Sequence, residues 1–156
     1  MKIAVFSDSH GICYNMAEII RDEKPDMVIH CGDHQKDAQA IEMQFPNISV
    51  YSVAGNCDWG RKGEEEKLFE VMGKVFYITH GHIQNVKRGY MNLALKGKEV
   101  GADVVICGHT HIPMYDVLDN MYMINPGSIT YGKKTYGIIN ITQRTFGYEL
   151  KYFDWI

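Results

Sequence analysis

Adjacent basic residues, paired cysteines and long apolar runs are all scarce in this chain. Sixteen lysines and arginines face nineteen acidic residues, for a net charge of -3, and the only adjacent basic pairs are Arg61-Lys62, Lys87-Arg88 and Lys133-Lys134. Such scattered charge offers no positive stripe to bulk nucleic acid. The four cysteines, Cys13, Cys31, Cys57 and Cys107, form no C-x-x-C pair. This removes a zinc-thiolate knuckle and a thioredoxin-type redox motif, and suits free thiols in a reducing compartment. No run reaches the roughly 18 apolar residues of a membrane span, and Met1-Lys2 leads into a strand-like segment without the apolar stretch of a signal peptide. The expectation is a cytoplasmic protein with no membrane partner.

What is present suits one folded domain over residues 1–156, with 46% apolar and 22% charged residues. A chain of this length buries about 70% of its unfolded surface around a single core. The apolar run at 3–6 has the character of a strand covered on both faces, and further strand-like runs at 27–29 and 48–53 lead into polar loops in the same way. A helical pattern at 13–22, with Met16, Ile19 and Ile20 on one face, separates the first two. A hairpin is expected over 68–72 and 75–79, turned at Gly73-Lys74, then a helix over 86–98 and a strand at 103–107. The end reads as antiparallel strands at 114–118, 121–124, 136–141 and 146–153. Together these predict an α/β domain with two facing sheets and helices outside.

Five of the strand-like runs break into residues able to bind metal: Asp8 and His10, Asp33, Asn56, His80, and His109 with His111. Loops at the carboxyl ends of strands in open α/β sheets converge on one crevice, so these positions describe one site. Singly, each is a weak signal; their recurrence at the same end of successive apolar runs is not. In Gly108-His109-Thr110-His111, two imidazoles at i and i+2 of an extended segment would address two neighbouring positions. Two carboxylates, four imidazoles and one amide, with no thiolate, suit Mn²⁺, Fe²⁺, Zn²⁺ or Ni²⁺. Seven ligands exceed the needs of one ion that keeps a position open, so two metals are implied, bridged by Asp8 or Asp33.

The ordered set Asp8-Ser9-His10, Gly32-Asp33, Gly55-Asn56, His80 and Gly108-His109-Thr110-His111 resembles the calcineurin-like metallophosphoesterases. Within them it is similar to the small bacterial and archaeal phosphodiesterases related to the retromer scaffold subunit. The resemblance spans nearly the whole chain and implies a four-layer α/β/β/α sandwich of two mixed sheets flanked by helices. It implies that Asp8, His10 and His111 hold one metal, that Asn56, His80 and His109 hold the other, and that Asp33 bridges them. Asp33, Asn56 and His80 are then the catalytic core. Two divalent ions, Mn²⁺ foremost and Fe²⁺, Ni²⁺, Zn²⁺ or Mg²⁺ as alternatives, would activate a bound hydroxide to cleave a small phosphodiester.

Many members of that superfamily carry a histidine after Gly-Asn, whereas this chain has Cys57 followed by Asp58. A thiol is a poor proton donor to a departing alkoxide, so aryl esters with good leaving groups should react best. His34 and His82 flank ligand positions and are candidate substrate contacts or supports, as are Cys57 and Asp58. Lys36 stands where a second aspartate of the longer Gly-Asp motif would be, and Asp37 is expected to start a helix. Arg61 and Arg88 are expected to be solvated, and Trp59 to anchor its loop or line the crevice mouth. Met114, Met121 and Met123, with Tyr152, Phe153 and Trp155, are assigned to core and sheet packing; an exposed remnant would support a homo-oligomer. The competing readings are a protein-binding scaffold of the same fold and a mononuclear zinc hydrolase or deaminase. The second lacks the H-x-E and P-C-x-x-C spacing.

Overall fold

A computed structural model describes residues 1–58 and 63–154. Strands β1 (Lys2–Phe6), β2 (Met27–His30) and β3 (Ser49–Ser52) alternate with helices α1 (Tyr14–Glu23) and α2 (Gln35–Gln44). The hairpin β4 (Glu66–Val71) and β5 (Lys74–Thr79) follows, then helix α3 (Met91–Glu99) and strand β6 (Val104–Ile106). Strands β7 (Met114–Leu118), β8 (Met121–Asn125), β9 (Thr135–Ile141) and β10 (Phe146–Tyr152) complete the chain. One sheet has the order β10-β9-β1-β2-β3 and the other β4-β5-β6-β8-β7, each mixing parallel and antiparallel pairs.

Period-two side-chain alternation explains the layering. Ile3, Val5, Met27 and Ile29 turn inward and meet Phe76, Ile78, Val104 and Ile106 of the other sheet in one buried cluster. The intervening Ala4, Phe6 and Val28 face outward, onto Met16, Ile19 and Ile20 of α1 and Ile41 of α2. Tyr77 and Val105 likewise face Leu93 and Ala94 of α3. Three apolar interfaces therefore separate four layers, the α/β/β/α sandwich expected.

Several local expectations are corrected. The helix over 86–98 is a 3₁₀ turn at Val86–Arg88 followed by α3, because Gly89 adopts φ 136° between them. Asp37 lies in the first turn of α2, as its third residue rather than its cap, and its buried carboxylate accepts hydrogen bonds from Gly11 N (2.8 Å) and His34 Nδ1 (3.0 Å). Met121 and Met123 are core, and Met114 packs against them. Tyr152 is 52% exposed at the end of β10, where it lines a surface cleft with Leu150, while Phe153 packs against the α1 layer. Arg88 is exposed, as expected; Trp59, Arg61 and Trp155 lie outside the described residues.

The far edge of the first sheet is tied by Glu23 at the end of α1. Its carboxylate accepts from Lys2 Nζ (3.0 Å), Lys151 Nζ (2.7 Å) and Tyr136 Oη (3.0 Å), joining α1 to β1, β9 and β10. Burial alone would raise this carboxyl's pKa; the hydrogen bonds from Lys151, Lys2 and Tyr136 outweigh it and hold it below its ordinary value. A depressed carboxyl stabilises the fold above its unfolded pKa and ceases to as pH falls through the folded one. Glu23→Gln should therefore cost about 1 kcal/mol at pH 7, and urea titrations should show wild type and variant converging below about pH 4.

Candidate metal centre

The carboxyl ends of β1, β2, β5 and β6 deliver their polar residues to one rim of the sandwich. Asp8, His10, Asp33 and His111 form a group whose ligand atoms all lie within 4.8 Å of one another, and Asp33, His80 and His109 form a second. Asp33 belongs to both: Oδ2 is 3.6 Å from His10 Nε2, and Oδ1 is 3.3 Å from His80 Nε2. Asp8 Oδ1 lies 3.2 Å from His111 Nε2, 3.7 Å from His10 Nε2 and 3.9 Å from His80 Nε2. Asp8 and His80 are fully buried, Asp33 is 3% exposed, and His10, His109 and His111 line the opening.

The backbone is bent to make this approach. Asp8, His10, Asp33, His109 and His111 all have left-handed φ, between 47° and 70°, a region uncommon for non-glycine residues. The Gly-His-Thr-His segment is therefore not extended as expected. His109 N donates to Asp8 Oδ2 (3.1 Å) and Thr110 N to Gly108 O (2.9 Å), curling the loop around the Asp8 carboxylate. The adjoining glycines make room: a Cβ on Gly108 would meet Ser7 Oγ and lie 2.7 Å from Asp8 Oδ2, and one on Gly55 would strike Asp33 Oδ1.

The donor atoms suit a cation. Among the described residues, Asp8 Oδ1 and His10 Nε2 are buried without a hydrogen-bond partner, an arrangement that costs free energy unless a ligand satisfies it. His80 Nδ1 donates to Cys31 O at 2.6 Å, which fixes the proton on Nδ1 and turns Nε2 toward the carboxylates.

A family model described as the calcineurin-like phosphoesterase superfamily domain matches residues 1–144. The chain belongs to this superfamily. It is 36% identical to the probable metallophosphoesterase YsnB of Bacillus subtilis, over 83% of this chain and 75% of that protein. It is 32% identical to the phosphodiesterase MJ0936 of Methanocaldococcus jannaschii, over 94% and 96% of the two. Among solved structures, a variant of Vps29 from Entamoeba histolytica superposes with a TM-score of 0.80 over 99% of this chain and 100% of its own; at 19% identity it shares the fold. Superfamily membership and the two donor groups together support divalent-metal binding at this rim.

Charge in the phosphoesterase site is set by burial and mutual contact. Burial raises the Asp8 and Asp33 carboxyls, but the neighbouring imidazoles prevail and hold both below their ordinary values. Burial and the adjacent His80 push His109 down to about 4, leaving it neutral. His80 itself is raised: burial opposes its protonation, and Asp33 and Asp8 outweigh burial. Burial and Asp33 raise the Cys57 thiol, so it stays protonated at neutral pH.

The remaining sequence candidates divide by contact. Asp58 caps backbone, accepting from His34 N (3.0 Å), Gln35 N (2.7 Å) and Gly55 N (2.7 Å). His34 is turned to Asp37 and lies over Gly11. The His82 ring centroid is 5.5 Å from that of His80 and 6.1 Å from that of His109, and its Nδ1 is buried without a partner among the described residues. Cys57 N donates to Asp33 Oδ1 (2.9 Å), while Asn56 is exposed and turns its amide to Cys57 Sγ at 3.7 Å.

Sequence reasoning missed the end of β8 and the loop after it. Asn125, buried, donates to Gly108 O (2.9 Å) and Thr110 Oγ1 (3.0 Å). Ser128 Oγ donates to Asp8 O (2.9 Å) and accepts from Thr130 N (3.1 Å) and Tyr131 N (2.9 Å). The string Asn125-Pro126-Gly127-Ser128 ends an apolar strand as the metal motifs do, and that was its available signal. His30 was also passed over. Fully buried, it accepts from Gly32 N (3.2 Å) and meets Ser9 Oγ at 2.9 Å, and burial lowers its pKa to about 4. Ser128→Ala should lower stability by about 1–3 kcal/mol, the cost of stranding buried groups. Calorimetric Mn²⁺ titration should show weaker uptake as the Asp8 loop loosens.

Proposed function

We propose that this domain hydrolyses small phosphodiesters at a pair of divalent cations. Asp8, His10 and His111 would hold one ion, Asn56, His80 and His109 the other, and Asp33 would bridge. The observation that carries this reading is the double membership of Asp33, each oxygen turned to a different donor group. Mn²⁺ suits the mixed oxygen and nitrogen donors; the lack of thiolate among them argues against a softer ion. Bound there, two ions would supply a water acidified toward neutrality and a Lewis-acid hold on the phosphoryl oxygens. The protein's part is orientation. Cys57 N–H and the Cys31 carbonyl fix Asp33 and His80, and the curled Gly108 loop fixes His109 against Asp8.

No imidazole stands at position 57, and the Cys57 thiol is held protonated above its ordinary pKa by burial and by Asp33. A weak acid there favours esters whose leaving group departs without a proton. The survival of all seven donor residue types in the sequence favours catalysis over a scaffold role for the same fold.

Metal analysis and bis-aryl phosphodiester hydrolysis after Mn²⁺ addition test the proposal. Wild type should turn over, and Asp33→Ala should lose about a thousandfold in kcat/KM, roughly 4 kcal/mol of transition-state stabilisation. A metal-loaded but inactive wild type would overturn the hydrolase reading in favour of the scaffold. Cys57→His should raise turnover of alkyl esters more than that of aryl esters; an unchanged leaving-group series would refute the role assigned to position 57.

A further inference from the structure

Two clefts flank the ridge Ile112-Pro113. One, of about 600 Å³, passes Lys87 and Tyr90, and the other, of about 410 Å³, begins at His111 itself. The second cleft is walled by Tyr131, Leu150 and Tyr152 and carries Lys133. Its floor is ordered by the metal loops. Tyr131 N donates to Ser128 Oγ, the hydroxyl that also holds the Asp8 carbonyl. The Tyr131 ring stacks on His111, 7° from parallel with centroids 5.3 Å apart, and meets the edge of His10 at 5.1 Å. It is nevertheless 50% exposed, so part of its surface is open. Among the described residues no carboxylate pairs with Lys133.

We propose that this cleft takes one ester arm of the substrate, and that the arm carries a planar heteroaromatic ring with oxygen acceptors, as a nucleoside does. A phosphoryl group beside His111 points one substituent along Tyr131. An aromatic wall favours a flat ring over an alkyl chain. An ammonium without a carboxylate favours an oxygen-rich arm over a bare aryl group, which would leave Lys133 nothing to bind. The volume lies within the range of small-molecule sites, roughly 300–1,000 Å³. This inference rests on the phosphoesterase reading for the placement of the phosphoryl group.

Calorimetry on the full chain with Mn²⁺ compares thymidine 5′-monophosphate with methyl phosphate, which bring the same phosphate group and differ in the arm. The nucleotide should bind wild type about tenfold tighter or more. Tyr131→Leu and Lys133→Ala should each reduce that ratio several-fold, while Tyr131→Phe should preserve it. The ratio cancels any general loss of phosphate affinity. Equal affinities in wild type, or a ratio unchanged in Tyr131→Leu and Lys133→Ala, would overturn the cleft assignment and leave the hydrolase reading standing. Failure of both probes to bind wild type would overturn the phosphoryl placement on which the two readings depend.

Discussion

Everything at this rim is organised by two carboxylates that the fold removes from water. Asp8 and Asp33 sit at the ends of neighbouring parallel strands, almost wholly buried. Burying an ion costs several kcal/mol unless it is paired and hydrogen-bonded. Part of that cost is offset by the chain: Ser7 Oγ (2.6 Å) and His109 N (3.1 Å) bind Asp8 Oδ2, and Cys57 N binds Asp33 Oδ1. The rest comes from imidazoles sent across by β5 and β6 of the facing sheet. Asp8 Oδ1 still has no hydrogen bond among the described residues. A cation that satisfies it binds the folded chain alone, so metal affinity and fold stability are linked.

The same constraint explains the bent backbone. Left-handed non-glycine residues cost on the order of 1–3 kcal/mol each and persist only where surrounding structure over-determines them. Here the loops are laced to one another. Asp8 N donates to Gly32 O, His10 N to Asp33 O, Gly108 N to His80 O and Ile129 N to Ser7 O. The bends at Asp8, His10, Asp33 and His109 are thus held by hydrogen bonds to another loop.

The layers were legible because burial on both faces leaves a continuous apolar run, and the run's abrupt end marks where the strand leaves the core. That signal located β1, β2, β5 and β6 and the residues after them. It failed where conformation is decided by a distant partner. Nothing local to Gly108-His109-Thr110-His111 says that Asp8 will curl the segment, and nothing local to Asp37 says that Gly11 and His34 will claim its carboxylate. Helical periodicity over 86–98 was also misleading, since Gly89 breaks the helix without disturbing the apolar spacing. Ser128 and Tyr131 escaped notice because a hydroxyl and a phenol carry no metal-binding signature; their importance lies in the loops they touch.

An acidic chain that binds an anion must do so by local charge. Lys87 stands near enough to His109 to lower its pKa, and Lys133 lines the cleft that begins at His111. The two lysines flank the Ile112-Pro113 ridge from opposite sides. Two isolated ammonium groups beside a cation site can orient one phosphate ester and its substituents. They do not form the continuous basic track that a polymer of phosphates requires. The distribution of charge is thus consistent with the proposed role on a compact ester.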